Sequence, residues 1–533
     1  MRETFKKLSN SIWIKLLAAA LLPLICCFIY CLTKGHKISD IYLPTSEWND
    51  ELFYYKQVES ILSHKIPQGF YGFNESQALK LTFAAWSPVL LAPWLLWGLV
   101  FGWNLTAPIY CNIFLMTLAL VLFVALVKPN WKQLGVFAVF FVLFKPFVRY
   151  MFCCMPEITC FALVIIFYSL AINYLNHEKN YKLVILFVLA GLMTLMRPYL
   201  ILFLLLPIYL LIRKKKWIGV FLSATVTLAI LFVYYLIKHY LSAEYFKPLF
   251  FTDWLTTFFT DGFAEGFKHF IGKFYWMGLE FINHMISGLK DGLASGIYFI
   301  CYISMMVVLI VRSICDLKKQ KKTPSVSGRN MLIVESHLAF SFVGMLIALL
   351  LMYKMTEGSK HLATFLTAGI MIVSLIDLKG FLGAKIQTGL LILILGFLYI
   401  FKAKDAYNYQ APFIDNDLAA RYETIESVLS KEMILSDNGP SFDNVIIWTL
   451  QDMVSSDDSD MPMAMNTEWQ ALYYLPEGFG ISCCEYEYVK ENLDSLKSKY
   501  VMTIPLGDLD KTIKERGYSS IYEDGSISIY KLR

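Results

Sequence analysis

Charge is what this chain has least of. Asp, Glu, Lys and Arg make up 17% of its 533 residues, against about 25% in soluble domains. That is too little charge to cover a water-facing globule of this size, which excludes a wholly soluble protein. Metal-type cysteine spacing is missing as well. None of the eleven cysteines forms a CxxC pair or a His/Cys ligand pattern, so no structural zinc site is expected. Most of them (Cys26, Cys27, Cys31, Cys111, Cys160, Cys301) lie in or beside apolar runs and act as small hydrophobes. Cys483-Cys484, adjacent in a polar region, sets up no disulfide framework. No P-loop, GxGxxG, HExxH or GxSxG stands in a suitable context, so the usual fingerprints of nucleotide, metalloprotease and serine-hydrolase chemistry are absent. Basic residues occupy short loops between apolar runs, and no nucleic-acid partner is expected.

Apolar residues fill the space instead: 57% of the chain is hydrophobic and 16% aromatic, with a mean hydropathy of +0.54. That is the make-up of a polytopic membrane protein. The net charge of +5 conceals a division. Residues 405–533 hold 10 Lys+Arg and 23 Asp+Glu, a net of −13, and the remainder holds 37 and 19, a net of +18. A span needs about 20 apolar residues. Eleven runs are expected to cross: 13–32, 105–127, 134–149, 157–175, 181–196, 198–212, 217–237, 293–312, 331–353, 362–378 and 386–402. The first follows Arg2, Lys6, Lys7 and Lys15, with Ala18-Ala19-Ala20 inside the run rather than after it, so a retained anchor is expected and not a cleaved signal.

Lys and Arg orient the spans. The N-terminus, Lys128/Lys132, Lys179/Lys182, Arg213-Lys214-Lys215-Lys216, the Lys318–Lys322 cluster with Arg329, and Lys379/Lys385 fall on one side. That side is the cytoplasm. Counting 82–101 as a further span would put the RKKK and KKQKK loops outside, so this segment, with its tryptophans, is assigned to the first outer loop, lying at the surface. The other outer loops fall near 149–157, 238–292 and 354–361. The acidic tail is also outside. It holds a strand-like NVIIW run (444–448), a strand YVMTIP, a helix LGDLDKTIKERG, and a hairpin SSIYEDGSISIYKL turning at Asp524-Gly525. The expected fold class is therefore an all-α polytopic membrane protein of about 11 transmembrane helices. Interfacial helices fill its first outer loop, and a small C-terminal α/β domain follows. The division is 1–404 for the membrane domain and 405–533 for the outer one.

The candidate site residues lie in those outer loops. Asp50 and Glu51 follow Asn49 at a helix start, where acids are favoured by capping and the helix dipole. Leu52, Tyr55, Val58 and Leu62 then form a stripe expected to lie on the bilayer. The same carboxylates could take a proton from an acceptor hydroxyl, and the two readings are compatible. Glu157 follows Pro156, another ordinary helix start, on the same outer side. Arg197, in LMRPY, occupies a tight outer turn against the positive-inside trend; it either snorkels or anchors a phosphate. Lys360-His361 opens a late span, where a cation beside a helix N-terminus suits a lipid phosphate. Arg149 and Lys145 are weaker candidates of the same kind. His239, His269 and His284 have no ligand spacing, so no metal ligands are assigned. No cofactor is indicated, and a divalent metal is left open.

Taken together these residues resemble the C-type membrane glycosyltransferases, which include protein O-mannosyltransferases, lipid A aminoarabinose transferases and many bacterial polyprenyl-phosphate-sugar enzymes. The resemblance covers about residues 10–380. It rests on Asp50-Glu51 early in the first outer loop, the surface segment WSPVLLAPWLLWG, Glu157 in the next outer loop, GLMTLMRPY, and Lys360 opening a late span. The chain departs from the pattern at Ser87-Pro88, where relatives often have two prolines, and at Lys360, where an arginine is usual. The resemblance implies a polyprenyl-phosphate-linked sugar donor and a glycan, lipid or protein acceptor. It implies an active site on the outer (periplasmic) face of the plasma membrane, in the cell envelope. Asp50 would be the general base, with Glu51 and Glu157 as further acids. Lys360 or Arg197 would stabilise the departing phosphate, and the lipid tail would lie in a groove between spans. Two other classes compete: a lipid or solute transporter, for which the spans carry few charges and no visible repeat, and a non-catalytic assembly or sensor protein that displays its tail.

The odd number of expected spans sets the two ends apart. Reporter fusions at Lys321 and at Arg533 should report opposite sides of the membrane. The same side for both would overturn the span assignment.

Overall fold

The computed structural model describes residues 11–45, 50–64, 71–75, 87–241, 252–290, 294–353, 355–375, 416–434, 441–449, 451–454, 463–466 and 468–533. In chain order its helices are α1 (Ile12–Lys34), α2 (Asp50–His64), α3 (Ala92–Phe101), α4 (Ala107–Val127), α5 (Trp131–Leu143), α6 (Lys145–Met151), α7 (Glu157–Asn176), α8 (Asn180–Met196), α9 (Leu205–Arg213), α10 (Trp217–Leu241), α11 (Asp253–Thr260), α12 (Phe263–Lys290), α13 (Ala294–Lys322), α14 (Val326–Met352), α15 (Met355–Ser374), α16 (Asn416–Glu432), α17 (Tyr486–Asn492) and α18 (Asp508–Glu515).

Six described helices are long and apolar enough to cross a membrane: α1, α4, α7, α10, α13 and α14. The expected count of eleven is not reproduced, and proline explains part of the difference. The run expected as one span at 134–149 is cut at Phe144, because Pro146 cannot continue a helix from α5 into α6. The runs 181–196 and 198–212 are shorter helical pieces on either side of Arg197-Pro198, where Arg197 is extended (φ −145°, ψ 118°) as a residue before proline prefers to be. The run 362–378 matches α15 only to Ser374, and 386–402 lies outside the described residues. Within the segment 238–292, α12 runs for 28 of the described residues. At the bundle centre stands α7, with most of its residues buried, packed between α4 and α15.

Nor are the spans free of charge. Arg312 of α13 donates to Glu335 of α14 at 2.9 Å and to Asp316 at 3.1 Å. This ionic clasp ties the two helices together towards the end of the hairpin that carries Lys318–Lys322.

The surface segment is described from Ser87 onward. A 3₁₀ turn, Pro88–Leu91, leads into α3. Trp94 docks α3 on the bundle through an indole hydrogen bond to Asn112 of α4 (3.1 Å), while Leu96, Leu99, Val100 and Phe101 are left exposed.

The tail supplies most of a six-stranded sheet. Its strands are β1 (Tyr71–Phe73), β2 (Val445–Thr449), β5 (Gly480–Cys484), β6 (Tyr500–Thr503), β7 (Ser520–Glu523) and β8 (Ser528–Lys531), in the order β1-β5-β2-β6-β8-β7. A separate hairpin pairs β3 (Gln451–Val454) with β4 (Met463–Asn466). The first four strands of the main sheet are parallel, and β8 and β7 are antiparallel. Alternation splits the sheet's side chains between two cores. Ile447, Val501 and Tyr530 pack with α17 and α18, while Ile446, Trp448, Met502 and Ile529 join the core continuous with the membrane bundle.

This sheet is not confined to 405–533, because β1 belongs to the first outer loop. After β1 the chain turns through Asn74 (φ 47°) and Glu75 (φ 58°), both left-handed, a conformation that strains a side chain such as glutamate. Hydrogen bonds hold it there. Glu75 accepts from the backbone N–H of Lys497 (2.9 Å) and Ser498 (2.6 Å), and Asn74 accepts from the Glu485 N–H.

The same docking corrects the expectation for α2. The helix does not lie on the bilayer: Leu52, Phe53, Tyr54, Tyr55, Lys56, Gln57 and Val58 are all buried. Phe53 meets Trp448 and Tyr55 meets Tyr473 across the interface with the tail. Lys56 is satisfied by Glu59 (2.9 Å) and the Leu475 carbonyl (3.0 Å). The apolar stripe signals one buried face, but α2 is covered on both sides by protein.

Glu75→Ala leaves the Lys497 and Ser498 N–H groups without their acceptor. The expected loss is about 1–3 kcal/mol from the outer unit, read as a lower thermal midpoint for its protection from proteolysis. A change below about 0.5 kcal/mol, the size of an ordinary surface substitution, would show that β1 is not pinned in this way.

Candidate active site

Three helix ends, the first half of a fourth helix and one bend converge at one end of the bundle. Asp50 and Glu51 occupy the first turn of α2. Glu157 opens α7 directly after Pro156. Arg149 ends α6. Lys360 and His361 lie in the first half of α15. Arg197 sits at the break between α8 and Pro198. Acids at helix starts are locally favourable, and the proline after Arg197 keeps its backbone extended.

The inner layer of the site is closed. Arg197 Nη2 donates to Glu157 Oε1 at 2.6 Å, and Arg197 Nη1 meets His361 Nδ1 at 2.5 Å. A guanidinium can only donate, so His361 Nδ1 is the acceptor and the neutral imidazole carries its proton on Nε2. The Tyr199 hydroxyl lies 3.4 Å from the same nitrogen, and the rings of Tyr199 and Tyr353 flank the imidazole. The Arg197 and Glu157 side chains are 1% and 2% exposed. Arg197 therefore does not snorkel. It turns inward and cross-links α7, α8 and α15.

The outer layer is open. Lys360 Nζ donates to Asp50 Oδ2 at 3.1 Å across 310 residues of sequence, with side-chain exposures of 12% and 24%. Glu51 is fully buried, and its charge is the smallest of the influences on Arg149, after burial, Tyr150, Tyr298 and Cys153. The candidate residues thus give two directly bonded acid–base groups, Asp50 with Lys360 and Glu157 with Arg197 and His361.

Tyr54 lies between the layers and was not singled out from sequence. Burial pushes its phenol well above the usual tyrosine range, and the Asp50 charge adds to the rise. It stays protonated and can donate. Its position four residues after Asp50, on the same helix face, is the signal that could have found it. Among the described residues, no group of three or more His, Cys, Asp or Glu could hold a metal ion.

Below this site an apolar groove of about 530 Å³ runs between α8, α9 and α10. Phe187, Gly191, Leu195, Leu211 and Val226 line it, and Leu195 lies two residues before Arg197.

The two layers should respond differently to truncation. Arg197→Ala strands a buried carboxylate, at an expected cost of about 3–5 kcal/mol. Lys360→Ala removes a partly exposed pair, at an expected cost within about 1 kcal/mol. Thermal challenge in detergent, followed by the fraction surviving size exclusion, measures the difference. Equal losses would contradict the closed and open description.

No family model matches the chain, and no curated protein matches it. Among solved structures it is similar to ArnT from Cupriavidus metallidurans bound to undecaprenyl phosphate, with TM-score 0.48 and 10% identity over 98% of each chain. It is also similar to the Archaeoglobus fulgidus oligosaccharyltransferase AglB in complex with an inhibitory peptide and a dolichol-phosphate. There the TM-score is 0.47 and the identity 12%, over 98% of this chain and 74% of that one. The apo oligosaccharyltransferase of the same organism gives TM-score 0.47 and 11% identity, over 92% and 69%. These structure neighbours are an aminoarabinose transferase and an oligosaccharyltransferase, both glycosyltransferases of the C type.

Proposed function

We propose that this chain is an integral membrane glycosyltransferase that moves a sugar from a polyprenyl-phosphate donor to an acceptor hydroxyl on the outer face of the membrane, with inversion. One observation carries the reading: a carboxylate and an ammonium from distant helices meet at 3.1 Å in a partly open site at the membrane bundle's outer edge. A carboxylate there can accept a proton, and a cation beside it can hold a phosphate. The groove between α8, α9 and α10 suits an isoprenoid chain, with its upper end near the charged cluster.

In the transfer step the acceptor oxygen attacks the anomeric carbon. The bond from that carbon to the phosphate oxygen breaks, and its electron pair leaves on the polyprenyl phosphate. The hydroxyl proton passes to Asp50, which returns it to solvent. Lys360 stabilises the charge gathering on the phosphate, and Arg149 is a further candidate cation. Tyr54 offers a hydrogen bond from the protonated phenol. Arg197 and Glu157 act through position: they fix His361, and with it the segment of α15 that carries Lys360.

The Arg312–Glu335 clasp is the one observation that favours a transporter, because intramembrane ionisable groups often mark a pathway. Its one cation is shared by two carboxylates, Glu335 and Asp316, and it lies towards the end of the hairpin opposite the Asp50 cluster.

The test is to incubate the purified protein with polyprenyl-phosphate sugars and an envelope extract as acceptor source, and to measure released polyprenyl phosphate. Asp50→Asn keeps the size and a capping oxygen but loses the base. Release should fall by roughly 10²–10⁴-fold, with folding retained. A fully active Asp50→Asn protein would remove Asp50 from the role of base.

A further inference from the structure

The base and the cation of the site engage each other. Asp50 Oδ2, one of the two oxygens that could take the acceptor's proton, already accepts a hydrogen bond from Lys360. The cation that would hold the donor's phosphate is likewise engaged with Asp50. The surroundings of the two cationic side chains differ. Arg197 is clamped by Glu157 and His361 in a buried setting, and its planar fork fits that arrangement and few others. Lys360 is a compact charge on a flexible four-carbon stem, in a pair that is partly exposed. Its neighbour His361 is held by Arg197, so the backbone of α15 stays fixed while the Lys360 stem can swing.

We propose that Lys360 is an exchangeable cation that holds Asp50 until the donor arrives, then transfers to the donor's phosphate and leaves Asp50 open to the acceptor hydroxyl. This rests on the glycosyl-transfer reading above. The exchange is feasible because the ammonium is never left unpaired, one anionic partner replacing another, and the released Asp50 carboxylate is partly exposed and can accept a hydrogen bond from the acceptor hydroxyl. It also orders the reaction. The base is exposed only when a donor is in place, so donor binding precedes productive acceptor binding. A ligand shifts such an equilibrium only through its differential interaction with the two states, and here that difference is the phosphate's hold on Lys360.

A double-mutant cycle on donor-lipid binding tests this. Polyprenyl monophosphate is titrated into the full-length protein in nanodiscs, for the unaltered chain, Asp50→Asn, Lys360→Ala and the double variant. Asp50→Asn removes the competitor for Lys360 and should tighten binding by about tenfold, and Lys360→Ala should weaken it by a similar factor. In the Lys360→Ala background Asp50→Asn should have no further effect. Lys360→Arg, which keeps the charge, should recover part of the binding and serves if the alanine variant folds poorly. If Asp50→Asn tightens binding equally with and without Lys360, the effect is general charge repulsion and the exchange is overturned. Unchanged or weaker binding by Asp50→Asn overturns it as well. If the unaltered protein binds no polyprenyl phosphate, the glycosyl-transfer reading falls and takes the exchange with it. If it binds but the variants are additive, the exchange alone falls.

Discussion

A guanidinium buried to 1% exposure cannot be left without counter-charge, and the arrangement of the outer site follows from how Arg197 is satisfied. Removing one partner from such a pair costs several kcal/mol, so Glu157 and His361 must be where Arg197 needs them. Glu157 opens α7, the most enclosed of the spans, and His361 belongs to α15. The three helices are thereby held in register at one end of the bundle. Lys360, next in chain to His361, is carried towards α2 as a consequence. A rigid inner pair supports a movable outer one.

The second constraint is the burial of α2. Its residues from Glu51 to Val58 contact protein on every side, because the tail's sheet closes over them. Phe53, Tyr55 and Lys56 each meet a residue of the tail, and β1 inserts the same outer loop into the sheet edge. The acidic tail therefore need not touch a substrate to matter. It fixes the helix that carries Asp50 and Glu51, and a residue far from the chemistry can act by placing that helix.

Much of this is legible in the chain, and what is not has a physical cause. Pro156-Glu157 and Arg197-Pro198 are local signals and appear as a helix start and a helix break. The runs NVIIW and YVMTIP, the helix LGDLDKTIKERG and the hairpin at Asp524 are likewise local, and they become β2, β6, α18 and the β7–β8 pair. Asp50, Glu157, Arg197 and Lys360 can be singled out one by one as charges beside the ends of apolar runs. Which of them pair is set by helix packing across as many as 310 residues, and no spacing encodes that. The three-residue strand β1 is too short to show a period. The full burial of α2 depends on a surface more than 380 residues later in the chain, at Trp448 and Tyr473. Arg312 and Glu335 were visible as letters, but a pair inside two apolar runs is recognised only when the helices are side by side.

The exchange of Lys360 between two anions is the step on which the chemistry and the architecture meet. A structure of the protein in nanodiscs with polyprenyl monophosphate bound tests it most directly. The expected result is phosphate oxygen within hydrogen-bond reach of Lys360 Nζ, the Asp50–Lys360 pair opened, and the Glu157–Arg197–His361 layer unmoved. A bound phosphate with Asp50 and Lys360 still joined at their present 3.1 Å would contradict it.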